Sequence, residues 1–260
     1  MERSVAYTLR FAAIVAVVAS TAVATTAVVL SSRQEANRLF DQRRKVLEAA
    51  GLSAPGERLS RAAVTRSFEE NIRAVVVDLR TGEVADDIDA TSFDQRGASR
   101  DPETSRPAPD NDAGVSRVPD HALVYHVVRD DEIDALVLPF EGVGLWSTMY
   151  GFVALSADLS TVRGITFYEH AETAGLGALI SEPEWRELWV GRRIFDEEWE
   201  PRLRVIKGRA PSPDESPYEV DGLAGATLTG NGVTAALHFW LGDAGLGTYL
   251  DRYREERGIP

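Results

Sequence analysis

The chain has 260 residues, with 28 Lys plus Arg against 41 Asp plus Glu and no Cys, for a formal net charge of −13. An acidic chain repels a phosphate backbone, which disfavours nucleic-acid binding, and the lack of thiols excludes disulfides, thiolate zinc sites, iron–sulfur ligation, Cys nucleophiles and lipid attachment through an N-terminal Cys. At 44% hydrophobic residues a folded core is expected, and the length allows one ordinary domain with additions or two small ones.

Residues 1–10 form a short basic head, expected on the cytoplasmic side. Phe11 to Ser32 carries no charge and is bracketed by Arg10 and Arg33. A helix of this length crosses a hydrocarbon core of about 30 Å, so 11–32 is predicted as a transmembrane helix. A cleaved signal peptide is the rival reading, with Ala22-Val23-Ala24 resembling a small-residue cleavage site. The apolar run continues past that site through Val28, Val29 and Leu30, which favours a retained anchor in the lipid bilayer. Arg3, Arg10 and the α-amine precede the span; Arg33, Arg38, Arg43, Arg44 and Lys45 follow it. Flanking charge alone therefore favours a cytoplasmic C-terminal side. Without Glu2, Arg3 and Arg10, the 41 acidic and 28 basic residues become 40 and 26, a net charge of −14 on the remainder.

Residues 33–72 are predicted as a helical stalk and packing helices. Ala36, Leu39, Phe40 and Leu47 share one face, Gly51 is a stop, and a second helix runs from about Glu57 to Ile72. The main domain spans 73–250 and opens on a buried strand, Ala74 to Val77. Residues 84–120, rich in Asp, Ser, Arg and Pro, read as a long surface excursion. Closely spaced strands follow at Leu123–Val128, Ala135–Phe140, Tyr150–Leu155 and Val162–Tyr168, which suggests antiparallel pairing. Pro183 opens a short helix through Trp189, and Leu203 to Ile206 is a further strand. The last clear helix follows Gly232, with Val233, Ala236, Leu237, Trp240 and Leu241 on one stripe. Tyr249 to Arg257 reads as a charged, solvated stretch, and 251–260 as a polar C-terminal tail. The pattern is an α+β fold: one N-terminal transmembrane helix, then one soluble domain with a mainly antiparallel sheet and flanking helices.

The stretch from Asp221 to Gly232 is dominated by small residues and leads directly into a helix. A helix start offers free N–H groups and a positive dipole end, which suit a phosphate. Gly225 and Ala226 allow a planar group to approach the backbone, and Thr229 is a candidate N-cap. Taken alone, small residues before a helix are more often only a turn. A phosphate loop of the Walker type fails for want of a Lys after the glycines, and no Gly-x-Ser-x-Gly elbow is present.

Asp221-x-x-Ala224-Gly225-Ala226-Thr227 resembles the Asp-x-x-Ser/Thr-Gly-Ala-Thr motif of domains carrying covalently bound FMN. Further matches make the resemblance more specific: Gly144-Leu145-Trp146-Ser147, Gly164 to His170, Glu172-Thr173-x-Gly175-Leu176-Gly177, Lys207-Gly208, Leu228-Thr229-x-Asn231-Gly232-Val233 and Phe239 to Asp243. Together they resemble the C-subunit family of the sodium-translocating NADH:quinone oxidoreductase over nearly the whole chain. The resemblance implies FMN esterified through its phosphate to Thr227 by a separate flavin transferase, with Asp221, Gly225, Ala226, Leu228 and Thr229 around the attachment. It offers Trp146, Glu172, Thr173, Gly175, Leu176 and Gly177 as walls for the ring. It implies an electron-transfer subunit working with the other subunits of a membrane complex, which oxidise NADH and reduce quinone, and a soluble domain on the periplasmic face of the inner membrane. The last point opposes the charge count. The span from 11 to 32 has no ionisable residue, so an ion path belongs to the partners.

Two positions depart from the family pattern. Ala224 replaces a Ser or Thr, and Ala174 stands where a Pro is usual. The G subunit of an Rnf-type ferredoxin:NAD oxidoreductase shares the flavin motif and is the near alternative. A membrane-tethered binding domain without flavin is the alternative from another class. His170 and Glu172 could begin a metal site but have no third ligand at helix or hairpin spacing. Trp185, Trp189 and Trp240 are expected in the core or an interface, and His238 packed or at the surface.

Overall fold

The computed structural model describes residues 5–259. Arg3 and the α-amine of the basic head lie outside the described residues, as do Pro260 and the side chains of residues 31–33 and 35. The chain divides into two compact units, Met1–Gln42 and Arg43–Pro260. A single helix, α1 (Val5–Ala49), begins in the first and ends in the second.

Within the first unit, Val5–Leu30 is 26 residues of mean hydropathy 2.3. At about 1.5 Å per residue it is roughly 39 Å long, more than a hydrocarbon core of about 30 Å requires. Its side chains, among them Phe11, Ile14 and Val18, are exposed all round. An exposed apolar surface of this length fits a membrane anchor. The first part of the predicted stalk, up to Ala49, continues the same helix.

The second unit starts with the last turns of α1, where Val46, Leu47 and Ala49 are buried. Glu48 is buried there too. It accepts from Lys45 Nζ at 2.8 Å, Arg186 Nη2 at 2.7 Å and the Gly56 N–H at 3.0 Å, so two cations compensate its charge. Next comes α2 (Arg61–Asn71), capped by the Ser60 hydroxyl, which accepts from the Ala63 N–H. Five strands follow: β1 (Ile72–Asp78), β4 (His121–Arg129), β5 (Glu132–Val143), β6 (Thr148–Ser156) and β7 (Val162–Glu169). They form one antiparallel sheet in the order β1-β4-β5-β6-β7.

Period-two geometry divides their side chains between two layers. Leu136, Leu138, Phe140, Val153, Ile165 and Phe167 enter the main core. On the opposite face the Tyr125 ring lies 6.0 Å from Phe68 of α2 and 5.7 Å from Phe152. The Thr166 hydroxyl donates to the Lys45 carbonyl of α1 on that same side. Burial on both faces explains why the central strands read as continuous apolar runs.

The 84–120 stretch contains α3 (Gln95–Arg100) and the small antiparallel pair β2 (Ser105–Pro107) and β3 (Arg117–Pro119). It is tied to the domain: Ala113, Val115 and Val118 are in the core, and the Gln95 side chain accepts from the Leu123 N–H. Arg96 pairs with Glu169 at 2.6 Å while its guanidinium lies 3.7 Å from the Tyr150 ring. After β7 come a 3-10 turn (Gly177–Ser181), α4 (Pro183–Glu187) and a short parallel pair, β8 (Arg204–Val205) with β9 (Glu219–Val220). Two helices close the fold, α5 (Thr227–Leu241) and α6 (Gly247–Arg257).

Two expectations need correction. The last long helix starts at Thr227, not after Gly232, because its first turns are built from small residues without an apolar stripe. The stretch 249–257, read as solvated, is the body of α6: Tyr249 and Leu250 are buried in the core, and the charges sit on its outer side. Two apolar anchors among nine residues give too weak a period to detect.

Candidate functional site

α5 packs its Val233, Ala236, Leu237 and Trp240 face into the core, and the Trp240 Nε1–H donates to the Glu141 carbonyl of β5 at 2.8 Å. That packing fixes the helix start beside the loop joining β5 to β6. Thr227 is the first residue of α5 and is exposed. The N-cap residue is the buried Ala226, which offers no side-chain acceptor, so the first N–H groups of the helix remain open to an acceptor from outside. Thr229 therefore does not cap the helix, as its position had suggested. It is fully buried, and its hydroxyl donates to Glu172 Oε2 at 2.5 Å.

Glu172 lies just beyond β7 and organises its surroundings. Oε1 accepts from the Trp146 N–H at 3.0 Å, and Oε2 from the Leu145 N–H at 3.2 Å. Burial would push this carboxyl up; the Thr229 hydroxyl and the Trp146, Leu145 and Ser147 N–H groups outweigh it and hold the group below the usual carboxylate range. A side chain at Gly144 or Gly177 would enter its seat, with a Cβ 2.5 Å from Oε1 or 2.7 Å from Oε2. His170, the possible metal partner of Glu172, is engaged otherwise: its Nδ1 accepts from the Glu172 N–H, and its Nε2 lies 2.8 Å from Ser181 Oγ.

Above this buried layer is an apolar, exposed one. Val143, Leu145, Trp146, Leu176 and Leu228 are 42–69% exposed, Trp146 the most. Gly225 turns with φ +74° before the helix, and a Cβ there would lie 3.0 Å from Leu176 Cδ2. Two clefts flank the start of α5. One, of about 1010 Å³, is lined by Val143, Leu145, Leu228, Asn231 and Phe239; the other, of about 510 Å³, contains Thr227, Ala224, Gly225, Asn231, Lys207 and Arg209. Both volumes suit a small organic molecule.

The predicted residues thus separate into roles. Trp146, Leu176 and Leu228 are exposed around the start of α5, with Thr173 and Gly175 exposed in the same turn as Leu176. Glu172, Thr229 and Gly177 are buried beneath them. Asp221 is half-buried and lines the cleft that contains Thr227. Its Oδ1 accepts from the Ala210 N–H at 2.8 Å and its carbonyl accepts from Trp185 Nε1 at 3.0 Å, which fastens the Lys207–Arg209 segment beside the cleft. The Gly222 N–H donates to the Gly208 carbonyl at 2.7 Å and reinforces that tie.

Arg209 was not anticipated, and Lys207 only as a motif match. A signal existed: the chain has two lysines, and Lys207 is the one outside α1. Trp185, Trp189 and Trp240 are buried in the core, and His238 is half-buried with Nε2 2.9 Å from the Leu203 carbonyl.

Comparison with known proteins gives a consistent result. The profile of the FMN-binding domain family matches residues 144–242. The C subunit of the Na(+)-translocating NADH-quinone reductase of Pseudomonas aeruginosa is 42% identical over 257 residues, covering 98% of each chain. The protein of the same name from Yersinia pestis is 44% identical over 97% of this chain and 94% of its own. Among solved structures, NqrC from Shewanella oneidensis aligns with a TM-score of 0.78 at 32% identity, over 85% of this chain and 99% of that one. The corresponding C subunit from Parabacteroides distasonis aligns at 0.64 and 26% identity, over 85% and 96% of the two chains.

Proposed function

We propose, from the premise that this chain belongs to the C-subunit family of the Na(+)-translocating NADH-quinone reductases, that its flavin is bound covalently through Thr227. The chain is an FMN-carrying electron-transfer subunit of that oxidoreductase, anchored by one N-terminal helix and assembled with the other subunits. FMN, when bound, supplies the reversible uptake of electrons; the protein places it and tunes it.

One observation carries the attachment. The exposed Thr227 opens α5 amid exposed apolar side chains, and the cleft that contains it also contains Lys207 and Arg209. A flavin phosphate has charge for the two cations and the open N–H groups to meet, and a flavin ring has apolar area for Leu145, Trp146, Leu176 and Leu228 to cover. The residues present therefore fit FMN. A threonine hydroxyl is a weak nucleophile, and the nearby Glu172 carboxylate is already committed to Thr229. This supports attachment by a separate flavin transferase. Ala224 is exposed in the cleft, so the hydroxyl it lacks affects contacts with the incoming flavin or the transferase and leaves the core intact. We place the domain on the periplasmic face of the inner membrane, following the resemblance against the flanking charge.

The test is co-expression of the full chain with a flavin transferase, read by intact mass, in-gel flavin fluorescence and protease treatment of spheroplasts. The expected result is one FMN on the wild-type chain, none on Thr227→Val with an unchanged melting transition, and a domain open to external protease. Retained covalent FMN in Thr227→Val would move the attachment elsewhere, and a protected domain would reverse the orientation.

A further inference from the structure

The domain buries two glutamates, and they are treated differently. Glu48 is met by Lys45 and Arg186. Glu172 is met, among the described residues, by neutral donors: the Thr229 hydroxyl and the Leu145 and Trp146 N–H groups. Both are at most 9% exposed. A buried charge that serves only structure is paired, as Glu48 is, because removal from water is otherwise costly. The Glu172 charge is solvated by hydrogen bonds but not cancelled. Its seat leaves no room for change either, since Gly144 and Gly177 would each put a Cβ within 2.7 Å of its oxygens.

Its location gives the charge a target. Thr229, which it accepts from, is two residues past Thr227 on α5, and its other donors are the backbone of the loop that exposes Leu145 and Trp146. We propose that Glu172 supplies a fixed, uncompensated negative charge to the flavin site, bracing the 144–147 loop against the start of α5 and lowering the reduction potential of the flavin. This rests on the reading that Thr227 carries FMN. An electron delivered from another redox centre of the complex adds one negative charge to the flavin unless a proton accompanies it. A neighbouring carboxylate that no cation screens raises the free energy of that state. Glu172 is a positioning residue in this scheme and acts through its field.

Two variants of the full chain, co-expressed with a flavin transferase and purified in detergent, separate field from scaffold. Glu172→Gln removes the charge and nearly keeps the shape. Thr229→Val keeps the charge and removes one donor that spreads it. Spectroelectrochemical titration of the covalent flavin at pH 8 should show Glu172→Gln shifted to a more positive potential and Thr229→Val to a more negative one. Simple loosening of the site would move both in the same direction, and that result, or an unshifted Glu172→Gln, overturns the inference. If Glu172→Gln takes up no flavin, Thr229→Val decides: a more negative potential supports the fixed charge, and any other result overturns it. A wild-type chain without covalent flavin would instead remove the premise about Thr227, which the same gels report separately.

Discussion

At the scale of single residues, the site is two layers: exposed apolar side chains over a buried polar brace. The brace tolerates little intrusion. A Cβ added at Gly177 would lie 2.7 Å from both Glu172 Oε2 and Thr229 Oγ1, atoms already held to one another. Neither can retreat without opening the other's hydrogen bond. Gly177→Ala should therefore cost about 1–3 kcal/mol of stability, the usual penalty of overpacking, and reduce flavin uptake in proportion to the displaced loop. Urea denaturation and in-gel flavin fluorescence check the two effects; a variant as stable and as fluorescent as wild type would mean that the brace is slack. Residue types here were legible in the sequence and their partnerships were not. Glu172 and Thr229 both appeared in motifs, yet nothing in a linear pattern states that residues 57 apart share a proton. Asp221 lines the cleft that contains Thr227, and the partner its carboxylate has there, the Ala210 N–H, was equally invisible in the linear pattern.

At the scale of elements, legibility follows burial geometry. β4 to β7 were readable because apolar runs of strand length separated by polar turns have few other interpretations. The start of α5 and the whole of α6 were not, because one is built from small residues and the other commits few apolar side chains to the core. The turn after Glu172 shows what finer detail a motif can hold. The Leu176 N–H donates to the Thr173 carbonyl at 3.1 Å, and Gly175 has φ +74°. This is a type II β-turn with Ala174 at its second position, where Pro is favoured because its ring presets φ. The family's usual Pro thus has a conformational purpose that Ala174 leaves unfilled. Ala174→Pro should stabilise the domain by about 0.4–1 kcal/mol, mainly by restricting the unfolded chain. The measurement is the denaturation midpoint at constant slope. Destabilisation would mean that the Ala174 backbone does not adopt the Pro-compatible conformation.

At the scale of the molecule, the last helix is secured to the sheet by a buried pair. His126 of β4 places Nε2 2.7 Å from Tyr249 Oη of α6, and the Tyr253 ring lies 5.8 Å from the imidazole. Burial, then Arg73 of β1 and Arg257 of α6, push the His126 pKa down to about 4. The unfolded chain binds this proton near pH 6.5, the native domain only near 4. Stability from the neutral imidazole is therefore complete above about pH 6.5 and is lost as pH falls toward 4, at a limiting slope of about 1.4 kcal/mol per pH unit. His170 and His238, also held low chiefly by burial, add in the same sense. The carboxylates held below their usual range, Glu48 and Glu172 among them, start to fail only at lower pH. Urea melts of the full chain in detergent between pH 6.5 and 5 follow the histidines, against which Glu141, whose carboxyl burial pushes up, works in the opposite sense. His126→Gln, which keeps a hydrogen-bonding group toward Tyr249 but cannot titrate, should have a distinctly shallower pH slope than wild type, with the remainder set by His170, His238 and Glu141. Equal slopes would mean that α6 yields to a charged His126 without cost, and the C-terminal helix would then be a loosely held cover.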